Sequence, residues 1–375
     1  MRRLVALPLA LLACAVTAGP AAAAENRAAP RIVNGSAITS TEAPWTVAIQ
    51  IEQGPGVGSC SGTILDATHV LTAAHCVVEG SSVAPASGIL LAAGTPDITT
   101  KAAQAQGRVV GVKTVRVHPG YRSSEIPDDV AVLTLEAPLD FSGPTIQPLP
   151  MVPTGTYVFS GTTTRVFGFG ITATNRDDFG ILRRLSTETV PASLCGTDAP
   201  GALLCTFRRG RAACSGDSGG TATAVVQGQR VLIGVTDIAA SECSAGLNLY
   251  ANVAAPEIRG FIDAAVLEQN VSADQLPVSP RGGTRVRINT TRPRVGRTVT
   301  CMRGSWSGTG SLSYRFQFQF TRSGRSTRAT SLSRKKTYRL KSRDRGWKVG
   351  CVVRATNVGG SGAGVSSTFR TVRSR

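Results

Sequence analysis

The chain has 375 residues, 42% of them hydrophobic, 17% charged and 5% aromatic, and a formal net charge of +18. The charge sits at one end: residues 272–375 hold 23 Lys+Arg against two acids, Asp274 and Asp344, whereas residues 1–271 hold 18 basic and 21 acidic groups. This excludes a uniformly basic nucleic-acid protein, the hydrophobic content excludes disorder over the first 270 residues, and the length suggests two or three domains.

Residues 1–24 read as a secretory signal: Arg2 and Arg3 give a charged start, Leu4 to Val16 an apolar run, and Ala22, Ala23 and Ala24 a small-residue cleavage site. The run is too short to span a bilayer, and no other run approaches the roughly 20 residues needed. The mature chain is therefore expected to be soluble and outside the cytoplasm, and the Ala-rich signal looks bacterial. The alternative is a lipoprotein anchor. Leu11-Leu12-Ala13-Cys14 resembles that cleavage box, although Leu12 fits it poorly and Cys14 lies early. Glu25 to Arg31 follows as a short polar segment, ending in Arg31-Ile32-Val33-Asn34-Gly35.

From Ile32 to about Val253, short Val/Ile/Leu/Thr runs alternate with Gly, Pro and Asp, among them Trp45–Ile51, Val109–Val117, Val130–Leu135 and Val231–Val235. Short strands with frequent turn signals predict an all-β sandwich or barrel. One helix is predicted, Pro256 to Gln269, with Ile258, Phe261, Ile262, Ala265 and Val266 on one face and Pro256 in its first turn. Residues 271–284 contain Pro277, Pro280, Gly282 and Gly283, coincide with the charge switch and read as a linker. Beyond it, Arg297–Met302, Tyr314–Phe320 and Lys348–Ala355 read as strands of a second β module, large enough to fold alone with a disulfide.

Without Cys14, eight cysteines remain: Cys60, Cys76, Cys195, Cys205, Cys214, Cys243, Cys301 and Cys351. An even count in an exported chain favours disulfides. The spacings fit no zinc pattern, and the only histidines are His69, His75 and His118.

Two local sequences carry candidate chemistry. Leu71-Thr72-Ala73-Ala74-His75-Cys76 places an imidazole at the end of a strand, and Gly216-Asp217-Ser218-Gly219-Gly220 places a serine in a glycine-rich bend. Glycines permit backbone angles at which amide N–H groups converge. A serine hydroxyl is a poor nucleophile until a base removes its proton, and imidazole titrates in the right range. The imidazole needs an acid to fix its tautomer, for which Asp129, leading Val130-Ala131-Val132-Leu133, is the candidate and Asp128 the rival. Each feature alone has a structural explanation (a core histidine, a turn, a strand cap), and only the ordered combination of His, Asp and Ser points to catalysis.

RIVNG from Arg31, LTAAHC from Leu71, DDVAVL from Asp128 and SGDSGG from Ser215 occur in this order. Together they resemble the trypsin/chymotrypsin family of serine endopeptidases, over Ile32 to about Gln269. The resemblance implies two six-stranded antiparallel β-barrels with the catalytic groups in the cleft between them. It makes His75 the general base and then acid, Asp129 its orienting partner and Ser218 the nucleophile that forms an acyl-enzyme. The N–H groups of Gly216 and Ser218 would form the oxyanion hole; these roles are the family's, carried onto matching positions. The family places its aspartate directly before the apolar strand, which favours Asp129 over Asp128. Cleavage after Arg31 would free the α-amine of Ile32 to pair with Asp217, so a zymogen is expected. The pairings Cys60–Cys76, Cys195–Cys205 and Cys214–Cys243 are also implied by the resemblance, while no cysteine stands near Thr164, where many relatives carry another bridge. His69 and His118 fall at structural positions of the family.

The implied specificity pocket involves Ala212, six residues before the serine, with Ala239 and Asn248 where the family usually has glycines. Ala212 supplies no charge, and the two larger residues are expected to narrow the pocket in favour of a small or medium uncharged P1 side chain. Asp237 replaces a common serine, and Asp237–Glu242 is one residue longer than usual; with the gap placed otherwise, Asp237 would line the pocket and favour basic residues. No cofactor is implied. The family's calcium loop needs clustered carboxylates and Gly94 to Val110 has only Asp97, so no metal is expected.

The resulting division is a signal peptide (1–24), an activation propeptide (25–31), a protease domain (32–270), a linker (271–283) and a basic β-sandwich (284–375). In the last, Cys301 and Cys351 would bridge two sheets. The pattern around Gly304–Gly308, Tyr314, Tyr338 and Ala355–Asn357 resembles Ig-like repeats of bacterial secreted proteins, with Val349 where antibody domains have a tyrosine. Phe316, Phe318 and Phe320 alternate and read as core rather than as base-stacking residues. The basic balance implies attraction to polyanions such as envelope polymers, without specific nucleic-acid recognition; the plainer reading is a well-solvated surface. Expected partners are a peptide or protein substrate and an activating protease or the enzyme itself. The rival class is a non-catalytic binding or adhesion protein on a protease-like scaffold. A further alternative makes the tail the adhesin and the protease its processing device.

Overall fold

The computed structural model describes residues 35–374 apart from 55, 124–127, 157, 175, 196–201, 240–242, 270–279, 282–285, 307–311, 323–325, 358–359 and 367. The first barrel is built from β1 (Thr46–Gln53), β2 (Gly56–Ile64), β3 (His69–Thr72), β4 (Ile89–Ala93), β5 (Arg108–Val117) and β6 (Ala131–Leu135). They pair antiparallel in the closed order β1-β2-β3-β6-β5-β4. The second contains β7 (Thr163–Gly168), β8 (Arg183–Thr189), β9 (Leu203–Phe207), β10 (Thr221–Val226), β11 (Gln229–Ala239) and β12 (Leu247–Asn252). Its order is β7-β8-β9-β12-β11-β10, closed by β10 on β7 and by the pairing of β8 with β9. The two barrels thus repeat one topology, and closure removes the open edges on which strands aggregate.

Alternation explains how they pack. On β1, Val47, Ile49 and Ile51 point into the first barrel, while Ala48 faces the other way. Ala48 joins Ala92, Phe167, Phe169 and Leu182 in an apolar cluster between barrels, edged by Trp45, whose ring meets Phe167 edge-on at 5.5 Å. Buried polar contacts also cross this boundary: Thr63 Oγ1 and Thr221 Oγ1 lie 2.6 Å apart, and the Phe169 N–H donates to Ser61 Oγ at 3.0 Å.

The helix following the second barrel, Pro256–Val266, buries Ile258, Phe261, Ile262 and Ala265 against the core. It ends short of the predicted Gln269, because Glu268 takes a left-handed conformation and the Gln269 N–H turns back to the Ala264 carbonyl.

The C-terminal module has β13 (Thr298–Met302), β14 (Ser313–Arg322), β15 (Ser326–Ala329), β16 (Thr337–Arg339), β17 (Lys348–Asn357) and β18 (Gly360–Val365). One sheet runs β15-β14-β17-β18, and the other joins Arg287–Ile288, β13 and β16. Phe316, Phe318 and Phe320 are buried from the first sheet and Val299 and Cys301 from the second, with the Cys301–Cys351 disulfide linking the two. Burying each such phenylalanine contributes about 1.5–3 kcal/mol. Asp344 is fully buried, where it accepts from Arg328 Nη2 and the Lys341 N–H.

Candidate active site

His75 sits in a single helical turn, Ala74–Val77, that leaves β3 directly, and Asp129 stands just before β6. β3 and β6 are antiparallel, with Thr72 opposite Ala131. The end of one strand therefore lies beside the start of the other, and both side chains reach the same rim. His75 Nδ1 is 2.6 Å from Asp129 Oδ2, and the His75 backbone N–H donates to Asp129 Oδ1 at 2.8 Å. A carboxylate only accepts, so in the neutral ring the proton sits on Nδ1 and the lone pair on Nε2. Asp129 is 2% exposed, whereas the His75 side chain keeps 35% of its surface. Burial alone would raise the Asp129 carboxyl. The hydrogen bond and charge of His75, then Asp237 and the His75 amide, outweigh burial and hold it below the usual carboxylate range. Asp128 is also buried, but its carboxyl lies with His118 and Glu257.

Ser218 stands in the bend between Cys214 and β10. Its carbonyl accepts from the Ser61 N–H at 2.8 Å, and the Gly219 N–H donates to the Thr236 carbonyl at 2.7 Å. Gly219 has φ +75°, and a side chain there would strike Thr72 Oγ1 and the Ser61 carbonyl. Only glycine lets this bend of the second barrel press against the end of β3 that carries His75. Gly216, at φ +89°, is covered by the Phe179 ring. The carbonyls before Gly216 and Ser218 are occupied, Ser215 accepting from Ile171 N–H and Asp217 from Gly220 N–H, both at 2.9 Å. Each peptide is planar and trans, so the N–H groups of Gly216 and Ser218 point away from those bonds.

A family model described as Trypsin matches residues 32–258. The chain belongs to the trypsin family. It is 31% identical over 214 residues to trypsin alpha of Drosophila erecta, covering 55% of this chain and 76% of that one. It is 30% identical over 220 residues to the vitellin-degrading protease of Bombyx mori, covering 56% and 78%. Among solved structures, human heparin binding protein aligns with a TM-score of 0.53 at 21% identity, covering 64% of this chain and 99% of that one, a likeness of fold alone. As a trypsin-family protein the chain is a serine endopeptidase, and its partners in that reaction are peptide substrates.

The other expected site residues of this trypsin-family enzyme are placed as follows. Asp217 is fully buried, its two oxygens accepting from the Gly170 and Cys214 N–H groups at 2.9 Å each. Burial, only partly offset by those two bonds and by Arg183, pushes its carboxyl up to about 6. Arg31 and Ile32 lie outside the described residues. Ala212 is buried, and Asn248 is turned into the wall rather than left projecting: its Oδ1 accepts from the Ala213 N–H at 2.8 Å and its Nδ2 donates to Thr206 Oγ1 at 3.4 Å. Ala239 pairs with Asn248 through its backbone, and its side chain lies outside the described atoms. Cys60–Cys76, Cys195–Cys205 and Cys214–Cys243 are bonded. His69 is held by Asp66, His118 packs edge-on against Phe261, and Asp97 caps Thr99.

Asp237 departs from the alternative that would set it in the pocket. The register between β11 and β12 shifts between Thr236 and Ala239, so the extra residue is absorbed as a bulge. Asp237 lies against Asp129 instead. Its identity was visible in the sequence, but its direction depends on that register. Among the described residues, no helix is long and apolar enough to cross a membrane.

Proposed function

We propose that this protein is a secreted, bacterial-type serine endopeptidase, made as a zymogen and carrying a basic Ig-like module for attachment to an anionic envelope polymer. The observation that carries the catalytic assignment is the contact of His75 Nδ1 with the buried Asp129 carboxylate. It leaves Nε2 as the base, on a side chain that keeps 35% of its surface exposed. His75 takes the Ser218 proton as Oγ bonds to the scissile carbonyl carbon, and then delivers that proton to the leaving amine as the C–N bond breaks. Water, deprotonated by the same ring, bonds to the acyl carbon, and the ring returns that proton to Ser218 Oγ as the ester C–O bond breaks. The Gly216 and Ser218 N–H groups receive the oxyanion, and losing one such donor typically costs about 3–4 kcal/mol of transition-state stabilisation.

Buried Asp217, with its raised carboxyl, supports activation after Arg31: an ammonium at Ile32 would supply the charge it lacks. The activating enzyme is another protease or a second copy of this one. Ala212, which brings no charge, supports an uncharged P1 residue, and Ala239, larger than the family's usual glycine, a small or medium one, with discrimination limited to about 1–3 kcal/mol per methylene. The signal at residues 1–24 supports secretion. Residues 32–270 form the protease domain and 284–375 the module, joined by 271–283. The module's one described carboxylate, Asp344, is buried against Arg328, which leaves its exposed charge positive and supports polyanion binding.

Cleavage of a peptide library by the chain cut after Arg31, against its Ser218→Ala variant, tests the enzyme reading. Cleavage after uncharged small residues that vanishes in the variant supports it; equal cleavage by both overturns it. Retention on an anionic polymer, with and without residues 272–375, tests attachment, and equal retention discards that role.

A further inference from the structure

Asp237 is a buried carboxyl to which the roles above assign nothing. It lies in the bulge of β11, directly after Thr236, whose hydroxyl donates to the Gly220 carbonyl at 3.1 Å. Asp237 is 5% exposed and rests beside the catalytic pair: one ligand atom each from His75, Asp129 and Asp237 all lie within 4.8 Å of one another. Two ionised carboxylates that close in a buried site repel strongly, so such a pair holds on to one proton. The partners decide where that proton resides. Asp129 accepts from the His75 ring and the His75 amide, which stabilise its charge. Asp237 Oδ2 is buried and has no donor to accept from among the described residues, an environment that suits a neutral acid.

We propose that Asp237 is a positioning residue of the catalytic unit: as a neutral acid it donates a further hydrogen bond to the Asp129 carboxylate that orients the His75 ring. The proposal rests on the reading of His75 and Asp129 as base and orienter. Burial, then the charge of Asp129 and the hydrogen bond to it, raise the Asp237 carboxyl well above the ordinary range, and the same contact helps hold Asp129 below it. The titratable groups facing Asp237 among the described residues are Asp129 before β6, His75 on its helical turn and the Tyr121 phenol after β5, itself raised by burial and by both carboxyls. The unit therefore carries one negative charge on two carboxyl groups. When base removes the shared proton at high pH, Asp129 loses a donor and gains a like charge beside it.

The test compares wild type, Asp237→Asn and Asp237→Ala as active full-length protein, by kcat/KM against pH and by infrared difference spectroscopy. Asp237→Asn keeps an N–H donor and cannot ionise, so it should retain kcat/KM at neutral pH within about threefold and move the alkaline limb to higher pH. Asp237→Ala removes a hydrogen bond to a charged group and should lose about 10- to 100-fold. The wild-type spectrum at neutral pH, taken against Asp237→Asn, should contain the C=O stretch of a protonated carboxylic acid. Absence of that band, an alkaline limb at the same pH in both, or equal activity of the alanine variant and wild type would each overturn the proposal. An asparagine variant as impaired as the alanine one would do so too. The band can be read on the uncut Ser218→Ala chain, so it tests Asp237 even where the enzyme reading fails.

Discussion

Asp217 ties the proposed activation after Arg31 to a measurable pH dependence. Its carboxyl moves from an ordinary 3.8 to about 6 because burial outweighs its two amide donors and the charge of Arg183. The native state thus binds this proton more tightly than the unfolded chain, by about 3 kcal/mol. With a raised carboxyl, that stability is fully present below about pH 4 and is lost as pH rises through about 6. The perturbation is Asp217→Asn in the uncut Ser218→Ala chain, which prevents self-digestion. The assay is urea unfolding of both chains between pH 4 and pH 7. Other carboxylates, Asp129 and Asp178 among them, are shifted downward and have the opposite slope, but they are common to both chains and cancel in the difference. The parent should lose about 2.4 kcal/mol relative to the variant across that window, and cleavage after Arg31 should remove the loss by supplying an ammonium. Parallel curves for the two uncut chains, or a loss that survives cleavage, would refute the reasoning.

Other outcomes follow from the same geometry. Asp129→Asn offers the His75 ring an N–H where it now meets an acceptor, favouring the wrong tautomer, and should lower kcat by at least about 100-fold with the fold intact by circular dichroism. Gly219→Ala forces a left-handed conformation and drives a methyl group at Thr72 and Ser61; denaturant titration should show a loss of at least about 2 kcal/mol. Replacing Cys301 and Cys351 together by serine opens a link across 50 residues and should destabilise the C-terminal module by about 4 kcal/mol in calorimetry, leaving Ser218 reactivity unchanged.

The barrels were legible because alternation and turn residues mark short strands, and because four motifs agree in order. Strand limits were less so: β11 extends from Gln229 to Ala239, beyond the apolar Val231–Val235, since backbone pairing across the hairpin at Gly228 does not require apolar side chains. In the site, His75 and Asp129 were readable from strand-end positions that β3–β6 pairing makes adjacent. Asn248 was not, because its direction is set by the Ala213 N–H, a partner 35 residues away in sequence. The direction of Asp237 was left open for a similar reason: a one-residue bulge changes which face a strand residue presents. In the basic module the alternating phenylalanines identified the core, whereas the burial of Asp344, at the end of a short turn, depended on Arg328 reaching it from β15.

The most direct measurement is the site of fluorophosphonate modification, mapped by mass spectrometry on the chain cut after Arg31. One adduct on Ser218 oxygen, with the rate of labelling collapsing in His75→Ala, is the result expected of a hydroxyl activated by that ring. Labelling at another residue, or at Ser218 with equal speed when the imidazole is gone, would contradict it.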